Sequence, residues 1–210
     1  MRVRCLTVGY LDTNCYLVVC EKTLEAIIID PGFGSYEAER FLNEISEKNL
    51  RIKYIINTHG HVDHISGNCI LKQATGAKIM IHEADAPMLT DHLKNLSGVL
   101  GFTAVSPSAD LLLKDGDLIK GELFELKVIH TPGHSRGSIC LYCSSESIVF
   151  TGDTLFAGSI GSTDFSDSSF ENIMRSLKDK LMRLPDQTVV YPGHGPRTTI
   201  GKEKLVNPSC

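Results

Sequence analysis

The chain is 210 residues long, 42% hydrophobic, with a formal net charge of −4 at pH 7; it can bury a sizeable core, and a single domain over 1–210 is expected. Its Lys and Arg are spread rather than clustered and no apolar run reaches the length of a membrane span, so neither nucleic acid nor a membrane is an expected partner. The seven cysteines form an odd, scattered set and the N-terminal apolar run is cut short at Asp12, which together point to reduced thiols in a cytoplasmic protein without a signal peptide.

RVRCLTV, CYLVVC and EAIIID read as short strands, each closed by a turn signal. One of those turns, DPGFGS, carries only a fragment of a dinucleotide fingerprint, because Glu37 stands where its third glycine would be. Residues 36–48 set Phe41, Leu42 and Ile45 on one face of a helix, and KYIIN then returns as a strand into NTHGHVDHISGN. Beyond it ISGNCILKQAT is predicted helical, AKIMI a strand, and EADAPMLTDHLKNL a helix broken at Pro87. Residues 96–110 read as a mobile loop. In the second half DLIK, FELKVIH, SICLYC and SIVFTG are strands. Within SICLYC the pair Cys140 and Cys143 falls on opposite sides of the strand, as core residues and not as half of a zinc site. Residues 168–184 carry Phe170, Ile173, Met174, Leu177, Leu181 and Leu184 at helical spacing, with Ser168 and Glu171 as a capping box. QTVVYPG is the last strand. Strands and helices recurring in both halves imply an α/β protein in which two sheets pack together with helices outside.

The stretch from Asn57 to Asn68 crowds His59, His61, Asp63 and His64 together. A strand running to His59 and His61 would send both side chains to one side, since positions two apart share a face, and Gly60 lets the backbone come close. A helix starting near Asp63 puts His61 and His64 on its first turn, so one short corner aims its ligands into one space. Further candidates stand at the ends of apolar strands beside glycine, where a rigid element holds a reachable group: His134 in TPGHS, Asp153 in FTGD and His194 in YPGH. His82 and His130 read as hydrogen-bonded structural or supporting groups, and His92 as a solvated helix residue. Imidazole and carboxylate donors without thiolate suit Zn(II), Fe(II) or Mn(II).

As an ordered set, THGHVDH, TPGHSRGS, FTGDTLF and YPGHGPRTTI resemble the metallo-β-lactamase superfamily, and within it glyoxalase II, the hydroxyacylglutathione hydrolases, in the short forms without an added C-terminal domain. The resemblance implies an αββα sandwich of two mixed sheets with the site at one edge. It also implies two divalent metal ions, zinc first, with iron or manganese as alternatives. His59, His61 and His134 would hold one ion and Asp63, His64 and His194 the other, with Asp153 bridging them; Asp63 and Asp153 would be the catalytic carboxylates. The implied activity is hydrolysis of a small-molecule thioester, of the S-lactoylglutathione type, by metal-bound hydroxide. Alternatives within reach are a mononuclear iron persulfide dioxygenase using His59, His134 and Asp153, another ester or lactone hydrolase, or a non-catalytic metal-binding protein. The GRTD segment of relatives reads GSTD here, with Ser162 in the arginine's place. Ser162, Arg197 and Lys202 are therefore the candidates for substrate contact, and a weak hold on the glutathione carboxylates is expected.

Overall fold

The computed structural model describes residues 1–101, 103–122 and 124–210. Strands β1 (Arg2–Val8), β2 (Thr13–Val19) and β3 (Glu25–Ile29) pair antiparallel. Helix α1 (Ser35–Glu47) follows, and β4 (Arg51–Ile56), β5 (Lys78–His82) and β6 (Leu111–Leu113) add in parallel to give a sheet of order β1-β2-β3-β4-β5-β6. The second sheet is built from β7 (Leu118–Lys120), β8 (Glu125–His130), β9 (Ile139–Cys143), β10 (Ile148–Gly152), β11 (Val189–Pro192) and β12 (Thr198–Thr199), in the order β12-β11-β10-β9-β8-β7. It is antiparallel except where β10 and β11 run parallel.

Alternation along the strands sorts the side chains into layers. In β3, Ile27 and Ile29 join Tyr16, Val128, Leu141 and Phe150 in the core between the sheets. Their neighbours Ala26 and Ile28 point the other way, against Ala38, Phe41 and Ile45 of α1. A strand buried on both faces needs an unbroken apolar run, and EAIII supplies it. The outer face of the second sheet offers Cys140, Val149 and Val190 to Leu177 of helix α4 (Phe170–Asp179) and to Leu181 and Ile200. Cys140 and Cys143 thus lie in different layers, both buried, as their strand spacing requires. Helices outside two facing mixed sheets make the αββα sandwich that the resemblance implies.

Several expected elements end elsewhere. β4 stops at Ile56, so His59 and His61 sit in the loop beyond it and not on the strand, because the side chain of Asp30 takes the Thr58 backbone N–H at 2.7 Å where a neighbouring strand would have bonded. The helix read over ISGNCILKQAT is two pieces, α2 (Val62–Ile65) and α3 (Asn68–Thr75), parted where the Gly67 N–H donates to Pro31 O at 2.7 Å. The broken helix at Pro87 is only a 3-10 turn at Ala86–Met88, and His92 lies on turns beyond it, not on a helix. Within 96–110 Phe102 lies outside the described residues; on either side of it, Ser97 Oγ donates to Ala104 O at 3.2 Å and Asn68 Nδ2 to Ser106 Oγ at 2.9 Å. The long helix over 168–184 is shorter. Ser169 caps it by accepting from Asn172 N at 3.3 Å, while Ser168 Oγ donates to Phe165 O, and a 3-10 turn at Leu181–Arg183 carries Leu181, with Leu184 extended just beyond it. Strands β6 and β12 and helix α5 (Ile200–Val206) are elements that periodicity did not mark.

Candidate metal centre

The ends of β4, β8, β10 and β11 meet at one edge of the sandwich, and the loops that leave them, with the short helix α2, bring His59, His61, Asp63, His64, His134, Asp153 and His194 together. One group of ligand atoms, all within 4.8 Å of one another, belongs to His59, His61 and His134; another belongs to Asp63, His64 and His194. Asp153 lies between them. Its Oδ2 is 3.5 Å from His134 Nε2 and 3.4 Å from His194 Nε2, and its Oδ1 is 3.4 Å from His64 Nε2. One carboxylate therefore touches both groups.

Outer partners set which ring nitrogen faces the centre. His134 Nδ1 donates to Ser162 O at 2.8 Å and His194 Nδ1 to Leu11 O at 2.9 Å, so each turns Nε2 inward. His64 Nδ1 faces Asp30 Oδ2 at 3.1 Å, which aims its Nε2 at Asp63 and Asp153. Thr58 Oγ1 donates to Asp30 Oδ2 at 2.6 Å and so accepts from His59 Nδ1 at 3.2 Å, freeing His59 Nε2. His61 instead presents Nδ1, 2.9 Å from His134 Nε2. Phe165 lies against the rings of His61 and His134, with centroids at 5.1 and 5.7 Å.

The donor set fits cations. His59 Nε2 and Asp153 Oδ1 are buried without a hydrogen-bond partner, a costly arrangement for polar atoms that a bound ion resolves. The electrostatics are divided in the same way. Burial, together with the neighbouring imidazoles, pushes His59 well below the ordinary histidine range and His61 down to about 3. On the other side burial opposes charge as well, but the carboxylates win. Asp63, Asp153 and Asp30 push His64 well up, and the hydrogen-bonded carboxylates of Asp153 and Asp63 raise His194 to about 10. Burial acts to raise Asp63 and Asp153, yet His64 and His194 hold both below the usual carboxylate range. Neutral imidazoles thus gather on one side and carboxylates on the other, with no thiolate among them.

Groups that spacing did not reveal hold this arrangement. Asp85 is buried between the two loops of the histidine-only group: its Oδ2 accepts from Gly60 N at 3.1 Å and Ser135 Oγ at 2.6 Å, and its Oδ1 from Gly137 N at 2.6 Å. Thr13 Oγ1 donates to Asp63 Oδ2 at 3.0 Å. Asn57 Nδ2 donates to His64 O at 3.0 Å and so ties the ends of the histidine corner. Glycine is required by space at two points, since a Cβ on Gly60 would overlap Met88 and one on Gly193 would overlap Asp153. Any sequence signal for Asp85 was weak: it is an acid in a turn two residues before Pro87, like many solvated ones.

The candidates for substrate contact are not drawn into this cluster. Ser162 gives it a backbone carbonyl, while its Oγ donates to Asp164 Oδ2 at 2.9 Å. Arg197 lies over the Tyr191 ring at 5.6 Å, and Lys202 is exposed on the first turn of α5. His82 and His130 stack on each other at 4.1 Å with planes 8° apart, and each bonds to the backbone, His82 Nδ1 accepting from Ala84 N at 3.2 Å and His130 Nε2 donating to Arg136 O at 2.9 Å.

Comparison with known proteins agrees with the geometry. The family described as the metallo-beta-lactamase superfamily matches residues 8–194. The hydroxyacylglutathione hydrolase GloC of Haemophilus influenzae is 35% identical over 214 residues, covering 99% of this chain and 97% of its own. Among solved structures, the BLEG-1 B3 metallo-beta-lactamase superposes with a TM-score of 0.93 at 33% identity, covering 99% of this chain and 98% of that one. TTHA1623, solved in a di-iron-bound form, superposes with a TM-score of 0.87 at 33% identity, covering 99% of this chain and all 100% of its own. Matched motifs, matched layers and a family profile that runs from β1 to His194 lead to one conclusion: this chain belongs to the metallo-beta-lactamase superfamily.

Proposed function

We propose that the protein is a dinuclear metal-dependent hydrolase that cleaves thioesters, of the hydroxyacylglutathione hydrolase type. The observation that carries this reading is the position of Asp153, whose carboxylate lies within 3.5 Å of ligand atoms from both groups. His59, His61 and His134 would hold one divalent ion and Asp63, His64 and His194 the other, with zinc the first choice and iron or manganese close behind. Bound there, such ions would supply Lewis acidity, which lowers the pKa of a water from about 15.7 toward about 7 in the best zinc case and polarises a carbonyl oxygen.

The chain's own groups supply the rest. Asp153 fixes the spacing between the two halves of the site. Asp63 Oδ2, oriented by Thr13, lies 3.2 Å from His64 Nε2 and 3.3 Å from His194 Nε2, which places it to help hold the second ion. Burial of His59, His64 and Asp153 keeps bulk solvent from competing for the centre. A thiol leaving group has a reference pKa of about 8.5, so it departs as thiolate without a dedicated acid. That chemistry suits a centre in which the described groups offer carboxylates and imidazoles and no Lys ammonium or Tyr hydroxyl within hydrogen-bond reach of the ligand atoms. The kinship with GloC supports the same substrate class.

Steady-state hydrolysis of S-lactoylglutathione, measured with protein of known metal content, tests the proposal. Turnover that rises with metal up to two ions per chain is expected. Activity that needs O₂ and peaks at one iron per chain would replace the hydrolase with a persulfide dioxygenase.

A further inference from the structure

A cleft of about 800 Å³ opens beside the centre, with Asp63 in its wall. It lies between the β1–β2 turn and the start of α1, and its rim carries large apolar side chains that the fold leaves in water: Tyr10, Leu11, Tyr36 and Leu100. Tyr10 is fully exposed and Tyr36 is 74% exposed. Scattered apolar residues on a surface need no explanation, but four around one concave opening next to reactive groups mark a binding site.

The charges of the cleft decide what it takes. Its charged lining residues are Glu37 and Asp63, both acidic; among the described residues no Lys or Arg lines it. The N-terminus of α1 also lies in the wall, and Glu37 already caps it. The Glu37 carboxylate accepts from Gly34 N at 3.1 Å and from Gly9 N at 3.2 Å, which also fixes the β1–β2 turn to the helix. Away from the metal centre, a carboxylate brought into this cleft would meet Glu37 and no Lys or Arg among the described lining residues.

We infer that the cleft binds the uncharged apolar part of the substrate, an aromatic or branched aliphatic group attached to the scissile ester or thioester, and that it selects against carriers bearing carboxylates there. The assignment rests on the hydrolase reading above and narrows it. The turn does more than form a wall. Leu11 presents its side chain to the cleft and its carbonyl oxygen to His194 at 2.9 Å, so the element that touches the substrate also orients a ligand of the second ion.

Two substrates and two kinds of variant test this. The metal-loaded enzyme is assayed on the phenylacetyl thioester of benzyl mercaptan and on S-lactoylglutathione. The uncharged aromatic thioester is expected to have a KM at least tenfold lower. Tyr10→Ala should raise that KM about five- to tenfold with kcat within about twofold, the loss expected for one apolar contact. Tyr36→Lys and Leu100→Lys, which place a cation on the rim, should raise the same KM and lower that for S-lactoylglutathione. A lower KM for S-lactoylglutathione in the unaltered enzyme, unmoved by the lysine variants, overturns the assignment and leaves the hydrolase reading standing. Binding of S-benzyl phenylethyl thioether, which cannot be cleaved, is followed by calorimetry in parallel. If neither thioester turns over, the hydrolase reading fails. The thioether then decides the cleft alone: binding that Leu100→Lys weakens supports it, and no binding overturns it.

Discussion

At the scale of single residues the site divides into groups that face the centre and groups that hold them. Asp153→Ala removes the carboxylate between the two ligand groups, and because its recorded side-chain contacts are with the ligand histidines His64, His134 and His194, the packing of the sheets and helices does not depend on it. Turnover should fall roughly a hundred- to a thousandfold, the scale of losing one preorganised charged group, while the unfolding midpoint of the metal-free protein barely moves. Activity and urea denaturation on the same preparation check both halves. Asp85→Ala should do the opposite. It leaves the Gly60 and Gly137 N–H groups without an acceptor, at about 1 to 3 kcal/mol for each unsatisfied buried donor, and loosens both loops that carry His59, His61 and His134. Lower stability in denaturant and lower metal content are expected together. The histidine corner was legible in the sequence because its ligands are neighbours in the chain. Asp85 was not, since the loops it joins are 25 and 52 residues away.

His82 gives a pH dependence whose sign follows from its surroundings. Burial, and then His130 stacked on it, push its pKa down to about 4 from the ordinary 6.5. Between those values the unfolded chain binds the proton and the folded chain does not, so stability should fall as pH drops from 6.5 toward 4. Urea midpoints across that range read the slope. His82→Phe should flatten it, and a slope unchanged in that variant would place its origin elsewhere.

At the scale of elements the apolar patterns located most strands and helices and misjudged how they end. Positions Ile173, Leu177 and Leu181 do share a buried face, yet the helix stops at Asp179 and the last of them sits on a 3-10 turn. Periodicity reports which side is buried; it does not report the backbone breaks that tertiary hydrogen bonds impose. The same limit hid the division of α2 from α3, where the bond from Gly67 to Pro31 ends one helix before the next begins. Leu177 is fully buried against the second sheet, so Leu177→Ala should cost about 2 to 5 kcal/mol in equilibrium unfolding. Ser169→Ala, which removes the observed cap of α4, should cost about 1 kcal/mol. An equal or larger loss from Ser168→Ala would contradict that assignment of the cap.

At the scale of the molecule the two sheets close on each other where the ligands gather. Asn14 N donates to Gly193 O at 2.7 Å and Ile139 N to Thr58 O at 2.9 Å, backbone bonds from one sheet side to the other beside His194 and His59. The Tyr16 hydroxyl donates to Pro192 O at 2.6 Å, joining the inter-sheet core to the same edge. The order of the motifs along the chain foretold this meeting of four strand ends, whereas the short strands β6 and β12, three and two residues long, carry too little pattern to be read in advance. Among the described residues no helix is long and apolar enough to cross a membrane. The central claim, that seven side chains from both halves of the sandwich form one centre for two ions, is tested most directly by equilibrium dialysis of the metal-free protein against Zn(II), with bound metal counted per chain. Saturation at two ions per chain is the expected result; saturation at one, with Asp63 and His194 left idle, would contradict it.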